Sequence, residues 1–417
     1  MNNNYSSHEL YYKRWLTPHL RDALNDASIL VITGARQVGK STLLLNEAPF
    51  CDFRFLTLDD FNTLQQAKGD PRSLFSGADK IVIDEVQREP DLLLAVKQTV
   101  DENPSRYKFV LSGSANLLLM KQVSESLAGR AIYFELNPMT LGEIHQVPPP
   151  SLIWDVLNGI WPEEGFNKAQ LPKLPPLLLR GLMPSLLHLD NAHSWTRWWD
   201  GYVTTYLERD LRQLSQIDSL LDFRRLMMLL APRSGQILNQ SSLARDGELS
   251  QPTAHRYINL LETSYLFRRL PPFTSNRNLR LIKSPKAFWS DAGLVAFLSG
   301  YYQEDDLQEA REYGQIFETF IFHHLQVISQ LLSPKAHLFY WRMRSGQEID
   351  FVLQHGRKIL PIEIKLTRKP GYDDAKHLRL FLENYNNADA GLLITCGQEI
   401  KRLGSNIMAV PWTMLTG

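Results

Sequence analysis

Residues 29–45 constrain the fold more than any other part of the chain. An apolar run, Ile29-Leu30-Val31-Ile32-Thr33, leads directly into Gly34-Ala35-Arg36-Gln37-Val38-Gly39-Lys40-Ser41, and Thr42-Leu43-Leu44-Leu45 continues as a helix. Strand, glycine-bracketed loop and helix in that order fit the G-x-x-x-x-G-K-[ST] pattern. The glycines let backbone N–H groups curl around phosphates, and the helix that follows turns its positive end toward the same charge. In this reading Lys40 reaches the outer phosphate oxygens and Ser41 ligates Mg²⁺. A plain strand-to-helix turn that happens to contain Gly-Lys-Ser is the weaker alternative.

The surroundings carry the same architecture onward. From Ser28 to about Leu136, short β-rich runs alternate with helix-like stretches, which predicts a parallel sheet with crossover helices. Strands are expected at Ile29–Thr33, Phe53–Leu58, Lys80–Asp84, Tyr107–Ser112 and Ala131–Leu136. They are near-continuous apolar runs, so both faces of the sheet should be covered. The expected fold class is α/β: a phosphate-loop parallel sheet, then a helical and winged-helix region, then a second α/β domain.

Size and composition fit this division. At 417 residues the chain is too long for one ordinary core, and 44% hydrophobic with 22% charged residues describes a folded protein. Lys+Arg and Asp+Glu each total 45, so any nucleic-acid contact must come from a local patch. Cys51 and Cys396 are too few for a disulfide framework, which points to a reducing compartment. No basic, apolar leader or spanning run is visible, so a cytoplasmic location and no membrane partner are expected. The domains are expected at 1–145 (phosphate loop), 146–235 (proline-rich linker and helical lid), 236–300 (winged helix) and 301–417 (second α/β). The aromatic stripe of Trp195, Trp198, Trp199 and Tyr202 reads as core.

A phosphate loop needs carboxylates beside it, because Mg²⁺ keeps several waters and leans on nearby acids. The apolar strand Lys80-Ile81-Val82-Ile83 ends in Asp84-Glu85. Asp84 is placed in the magnesium shell, and Glu85 is placed to orient and deprotonate an attacking water. A polar sensor on the next strand tip is sought among Ser112, Ser114 and Asn116, with Ser114 preferred. Arg130 could neutralise a transferring phosphoryl group, in its own subunit or a neighbour's, or be a surface ion-pair arginine.

These residues resemble a family of archaeal and bacterial AAA-type ATPases that carry a winged helix and a C-terminal domain of uncertain function. The matching pieces are Gly34–Thr42, Ile83-Asp84-Glu85-Val86-Gln87, Leu111-Ser112-Gly113-Ser114, Leu127-Ala128-Gly129-Arg130 and Leu136-Asn137-Pro138-Met139. Further on they are Tyr206-Leu207-Glu208-Arg209-Asp210, Ser290-Asp291-Ala292-Gly293-Leu294 and Glu348-Ile349-Asp350-Phe351. One departure is Gly181-Leu182-Met183-Pro184, where the family tends to have Gly-Gly-aromatic-Pro. The resemblance implies ATP and Mg²⁺ binding and hydrolysis, with Gly34, Ala35, Arg36, Gln37, Val38, Gly39, Lys40, Ser41 and Thr42 holding the nucleotide. Rings of identical subunits and single-subunit switches are both compatible with it.

The last third predicts the succession α-β-β-β-α-β, which is also that of the PD-(D/E)XK nucleases. Asp350 falls on the second strand, while Glu363 and Lys365, two apart on the third, share a face. Asp350 and Glu363 could bind a second divalent metal, with Lys365 positioning a nucleophile and Glu318 on the preceding helix as a further acid. The alternative is a cross-strand ion-pair cluster in a catalytically idle domain.

In the middle, Ser250-Gln251-Pro252-Thr253 gives an N-capped helix start, and a ribbon follows. Thr253, His255, Arg256 and Asn259 are expected on the helix's exposed side. Arg268, Arg269, Arg277, Arg280, Lys283 and Lys286, with no acid between them, are expected to grip DNA phosphates. A signalling ATPase with a protein partner is the rival.

Overall fold

The computed structural model describes residues 11–103, 105–114, 127, 129–166, 172–205, 217–274 and 284–417. It divides into two compact units, Met1–Pro148 and Pro149–Gly417. Among the described residues no helix is long and apolar enough to cross a membrane.

In the first unit β1 (Ile29–Thr33), β2 (Arg54–Thr57), β3 (Lys80–Asp84), β4 (Lys108–Ser112) and β5 (Ala131–Glu135) form a sheet in the order β2-β3-β4-β1-β5. Every pairing is parallel. The helices α1 (Thr17–Asp26), α2 (Lys40–Asn46), α3 (Phe61–Gly69) and α4 (Leu92–Glu102) accompany it. The strand positions agree with those expected to within a residue or two. Full coverage of both faces holds for β1 and, apart from their first residues, for β3 and β4, but not for β2 and β5. Those two are edge strands, so Tyr133 on β5 stays exposed. Parallel order puts the ends of β3, β4 and β1 side by side on one rim. Asp84, Ser112 and the loop after Thr33 meet there, the usual ligand side of such a sheet.

In the second unit a short strand, β6 (Gly165–Phe166), precedes α5 (Leu174–Arg180). Then come α6 (Leu220–Leu230), α7 (Gln240–Asp246), α8 (Gln251–Thr263) and an antiparallel ribbon of β7 (Phe267–Leu270) and β8 (Lys286–Trp289). Ser250 caps α8 as expected, accepting a hydrogen bond from the Thr253 N–H. Trp195, Trp199 and Tyr202 are buried, in agreement with a core role for the aromatic stripe.

The chain continues through α9 (Ala292–Leu298), α10 (Tyr313–Leu331), β9 (His337–Arg342), β10 (Glu348–His355), β11 (Lys358–Lys365), α11 (Lys376–Asn384), β12 (Gly391–Thr395), β13 (Glu399–Gly404) and β14 (Ile407–Pro411). The mixed sheet has the order β6-β13-β14-β12-β11-β10-β9. The α-β-β-β-α-β succession is present as α10-β9-β10-β11-α11-β12. Two features differ from the expectation: β13 is an additional strand, and the proline-rich stretch supplies β6, which pairs with β13 through Glu399 and Phe166.

The two motifs that flank this region form one joint. Asp291 is buried and accepts hydrogen bonds from the Leu182 and Gly293 N–H groups at 2.8 and 2.7 Å. Gly181 sits at φ 76°, and a Cβ there would lie 2.2 Å from Asp291 Oδ1. One on Gly293 would lie 2.7 Å from the Gly181 nitrogen. Both positions therefore need glycine for close approach, and the Asp291 carboxyl ties the turn after α5 to the start of α9.

Candidate active site

The phosphate loop has the backbone its sequence demands. Gly34 lies at φ 147°, and a Cβ there would stand 2.2 Å from the Leu136 carbonyl oxygen. Gly39 caps α2 at φ 95°, in the left-handed region that favours glycine. Lys40 is buried and donates to the carbonyls of Gly34 and Ala35 at 3.0 and 2.9 Å. Burial pulls its pKa down to about 8, against the pull of Glu85 and Asp84, which favour the ammonium.

Three hydroxyl and carboxyl groups line up beside it. Ser41 Oγ donates to Asp84 Oδ2 at 2.6 Å, and Ser112 Oγ donates to the other oxygen, Oδ1. The oxygens expected to share a magnesium ion thus already converge across α2 and β3, which fits that ion's preference for a few hard donors. One residue on, Glu85 adopts φ 54°, a left-handed conformation in which a non-glycine residue stores of order 1 kcal/mol. Gln87 Nε2 donates to Glu85 Oε2 and, at 2.9 Å, to Ser114 Oγ. Ser114 Oγ itself lies 3.3 Å from Glu85 Oε2. Of the three sensor candidates, Ser112 faces Asp84, Ser114 faces Glu85, and Asn116 lies outside the described residues.

Arg130 is found in an exposed ion pair with Asp101 of α4, Nη2 to Oδ2 3.1 Å. A residue that sequence reasoning missed is Arg14. Its guanidinium is buried and donates to the carbonyls of Val38 (2.8 Å) in the phosphate loop and Asn137 (2.6 Å). Arg14 Nε lies 3.1 Å from Glu143 Oε1 but off the hydrogen-bonding direction, so that contact is Coulombic. Glu143 also accepts from the Trp15 and Thr140 N–H groups at 2.8 and 2.9 Å. No spacing in the sequence marks Arg14. Gln87 lay within a matched motif but carried no assigned role.

The C-terminal acids come together as expected, but around a side chain. Lys286 of β8 is buried at 2% exposure, with its Nζ 2.5 Å from Glu348, 3.1 Å from Glu318 and 3.8 Å from Asp350. Asp350 Oδ2 accepts from the Ile364 N–H at 2.8 Å. Glu363 and Lys365 do share a face: Lys365 Nζ donates to Glu363 Oε1 at 2.8 Å, and His377 Nδ1 lies 3.6 Å away. Burial raises the Glu318 carboxyl to about 8 against the Lys286 charge, and burial together with Asp350 raises Glu363 to about 8. Among the described residues no group of three or more His, Cys, Asp and Glu side chains is arranged to hold a metal ion. Glu318 and Asp350 of the expected second metal set therefore stand around Lys286, and Glu363 pairs with Lys365, as in the ion-pair alternative.

The basic ribbon needs a correction. Lys286 points inward, and Arg269 pairs with Glu262 at 3.0 Å and donates to Asn259 at 2.6 Å. Arg268 is half-buried, and desolvation pulls its pKa down to about 10. Arg277, Arg280 and Lys283 lie outside the described residues, as does Tyr206–Asp210. On α8, His255 and Arg256 are exposed and Thr253 and Asn259 half-buried, with Arg256 paired to Asp218. A run of like charge looked unpaired because its acids, Glu262, Glu318 and Glu348, lie outside it on other elements.

Comparison with known proteins agrees with the first unit. Residues 26–145 match the family described as "AAA domain", whereas 171–305 and 313–415 match two families each described as a domain of unknown function, DUF8612 and DUF4143. An uncharacterised protein of Mycobacterium tuberculosis is 31% identical over 407 residues, spanning 96% of this chain and 84% of its own length. One from Methanocaldococcus jannaschii is 23% identical over 429 residues, spanning 92% and 83%. Among solved structures, the Holliday junction branch migration motor RuvB of Thermotoga maritima is similar with a TM-score of 0.29 and 16% identity, over 61% of this chain and 89% of that one.

Proposed function

The chain belongs to the same family as its mycobacterial relative and carries an AAA domain, and from these we propose that it is an ATP-hydrolysing switch. One observation carries this: Lys40, the Ser41–Asp84–Ser112 chain and the Glu85–Ser114 pair stand on three adjacent strand ends of one rim. Lys40 exchanges its loop carbonyls for the outer phosphate oxygens of ATP. Ser41 and Asp84 hold Mg²⁺, which when bound neutralises charge on the phosphates. Glu85, aimed by Gln87 and Ser114, takes the proton of the attacking water. Arg130, half-buried and paired with Asp101, would reach a γ-phosphate, its own or a neighbouring copy's, only by leaving that pair. Calorimetric ATP binding together with phosphate release tests this. Lys40→Ala should abolish binding, whereas Glu85→Gln should bind ATP and turn over ~10²–10⁴ times more slowly. Unchanged turnover in Glu85→Gln would remove that residue from its role.

For the partner, we infer DNA, bound by a winged-helix-like module in which α8 presents Thr253, His255, Arg256 and Asn259 beside the ribbon. Support comes from the capped helix, its exposed polar side and the two strands that follow. One observation favours a protein partner instead: Arg256 and Arg269 are already paired with Asp218 and Glu262. DNA binding that weakens steeply with salt and is lost in Arg256→Glu supports DNA; no salt-sensitive binding supports the protein partner.

A further inference from the structure

A domain with the α-β-β-β-α-β succession and acids at Asp350 and Glu363 implies a divalent metal, yet an ammonium already stands among the carboxylates beside Asp350. We infer that Lys286 is the resident cation of the Glu318, Glu348 and Asp350 cluster, and that the C-terminal sheet is a non-cleaving platform.

The geometry supports this from four sides. The Lys286 ammonium already lies within 4 Å of Glu318, Glu348 and Asp350, which come from a helix and a strand outside its own ribbon. A magnesium ion needs oxygens at about 2.1 Å in octahedral array and keeps several waters. It could gather these carboxylates only if the ammonium left. Behind Glu318 the space is closed as well: a Cβ on Gly235 would stand 3.0 Å from Oε2, and the Gly235 N–H is bonded to the Ala287 carbonyl beside Lys286.

Two of the acids carry a further cation, although Glu363 Oε2 is buried with no hydrogen-bond partner among the described residues. Arg342 lies 3.5 Å from Glu348, and Lys365 salt-bridges Glu363. One oxygen of Asp350 is taken by a backbone N–H of β11. The aromatic face of Tyr340, 5.9 Å from Lys286 Nζ, adds a further cation-binding wall. Removing one partner of such a buried set leaves uncompensated charge, so the lysine has strong reason to stay.

The test uses full-length protein with two arms. In an Asp84→Asn background, where the phosphate-loop metal site is disabled, Mn²⁺ binding followed by electron paramagnetic resonance should detect no stoichiometric site. Plasmid and single-stranded DNA should stay intact in Mg²⁺ or Mn²⁺. Stoichiometric Mn²⁺ binding abolished by Asp350→Asn, or metal-dependent cutting abolished by Asp350→Ala, overturns the inference. In the second arm, Lys286→Met vacates the centre and should create a divalent site: Mn²⁺ at saturating concentration should raise the unfolding midpoint by about 5 °C, with no such rise once Glu318→Gln is added. A folded Lys286→Met protein indifferent to Mn²⁺ also counts against the inference, and if that variant does not fold the first arm decides alone. ATP turnover enters neither readout, so the hydrolysis proposal can fail without affecting this one.

Discussion

Replacing Arg14 by methionine isolates one side chain that holds the phosphate loop in place. Met fills much of the same volume but strips the Val38 and Asn137 carbonyls of their charged donor, at 2.8 and 2.6 Å, and Glu143 of its cation. Deleting one member of a buried ion pair costs ~3–5 kcal/mol, and each stranded buried acceptor ~1–3 kcal/mol. Glu143 keeps its bonds from Trp15 and Thr140, which absorbs part of that loss, so the net should be about 3–5 kcal/mol. For a unit of this size that corresponds to a drop of roughly 10 °C in its unfolding midpoint. The assay is scanning calorimetry, following the transition that shifts when Mg-ATP is added, with ATP affinity measured below it. Because Val38 immediately precedes Gly39, the KM for ATP should rise more than kcat falls. Arg14→Lys restores the charge beside Glu143 without the fork that reaches both carbonyls, and should recover part of the stability and less of the affinity. An Arg14→Met midpoint within about 2 °C of wild type would refute the clasp.

Other outcomes follow from the same geometry. Lys40, with its pKa lowered to about 8, is increasingly neutral as pH rises through that value, so ATP affinity should fall there. Nucleotide binding near pH 8 should take up a proton, read as a dependence of the calorimetric heat on buffer ionisation enthalpy. The sign for stability is opposite: the unfolded chain binds more protons between the two pKa values, so this group's contribution to nucleotide-free stability rises with pH across that window. Gly181→Ala meets both a left-handed φ and the Asp291 carboxylate, and should destabilise the second unit by about 3 kcal/mol or more, visible in urea unfolding. A loss under 1 kcal/mol (~) would show that the joint can relax.

How much was legible beforehand differed between the two halves for a physical reason. In the first unit the chemistry is local: a loop and a strand tip each carry their own residues, and parallel order brings them to one rim. Lys40, Ser41, Asp84 and Glu85 could therefore be named from spacing. Arg14 could not, because its partners Val38, Asn137 and Glu143 are joined only by the fold. In the second unit, period-2 alternation put Glu363 and Lys365 on one face, and Glu318 of the preceding helix comes to the Lys286 cluster that Asp350 also borders. Lys286 was misjudged: in Lys286-Ala287-Phe288-Trp289 it occupies a fully buried strand, yet sequence distance counted it with the ribbon's outward charges. Charge in a sequence has a sign but no depth. Arg269, half-buried and paired with Glu262 of the preceding helix, was misread in the same way.

The small strand β6 decides how this molecule can be cut. A fragment beginning near residue 300 would lack Gly165–Phe166 and Lys286 together. It would bare the flank of β13 to pairing with other chains and leave Glu318, Glu348 and Asp350 mutually repelling without their lysine. Solubility or activity measured on such a piece would describe the excision instead of the protein. Dissection should begin no later than Pro149, so that the ribbon and the far edge of the sheet travel together.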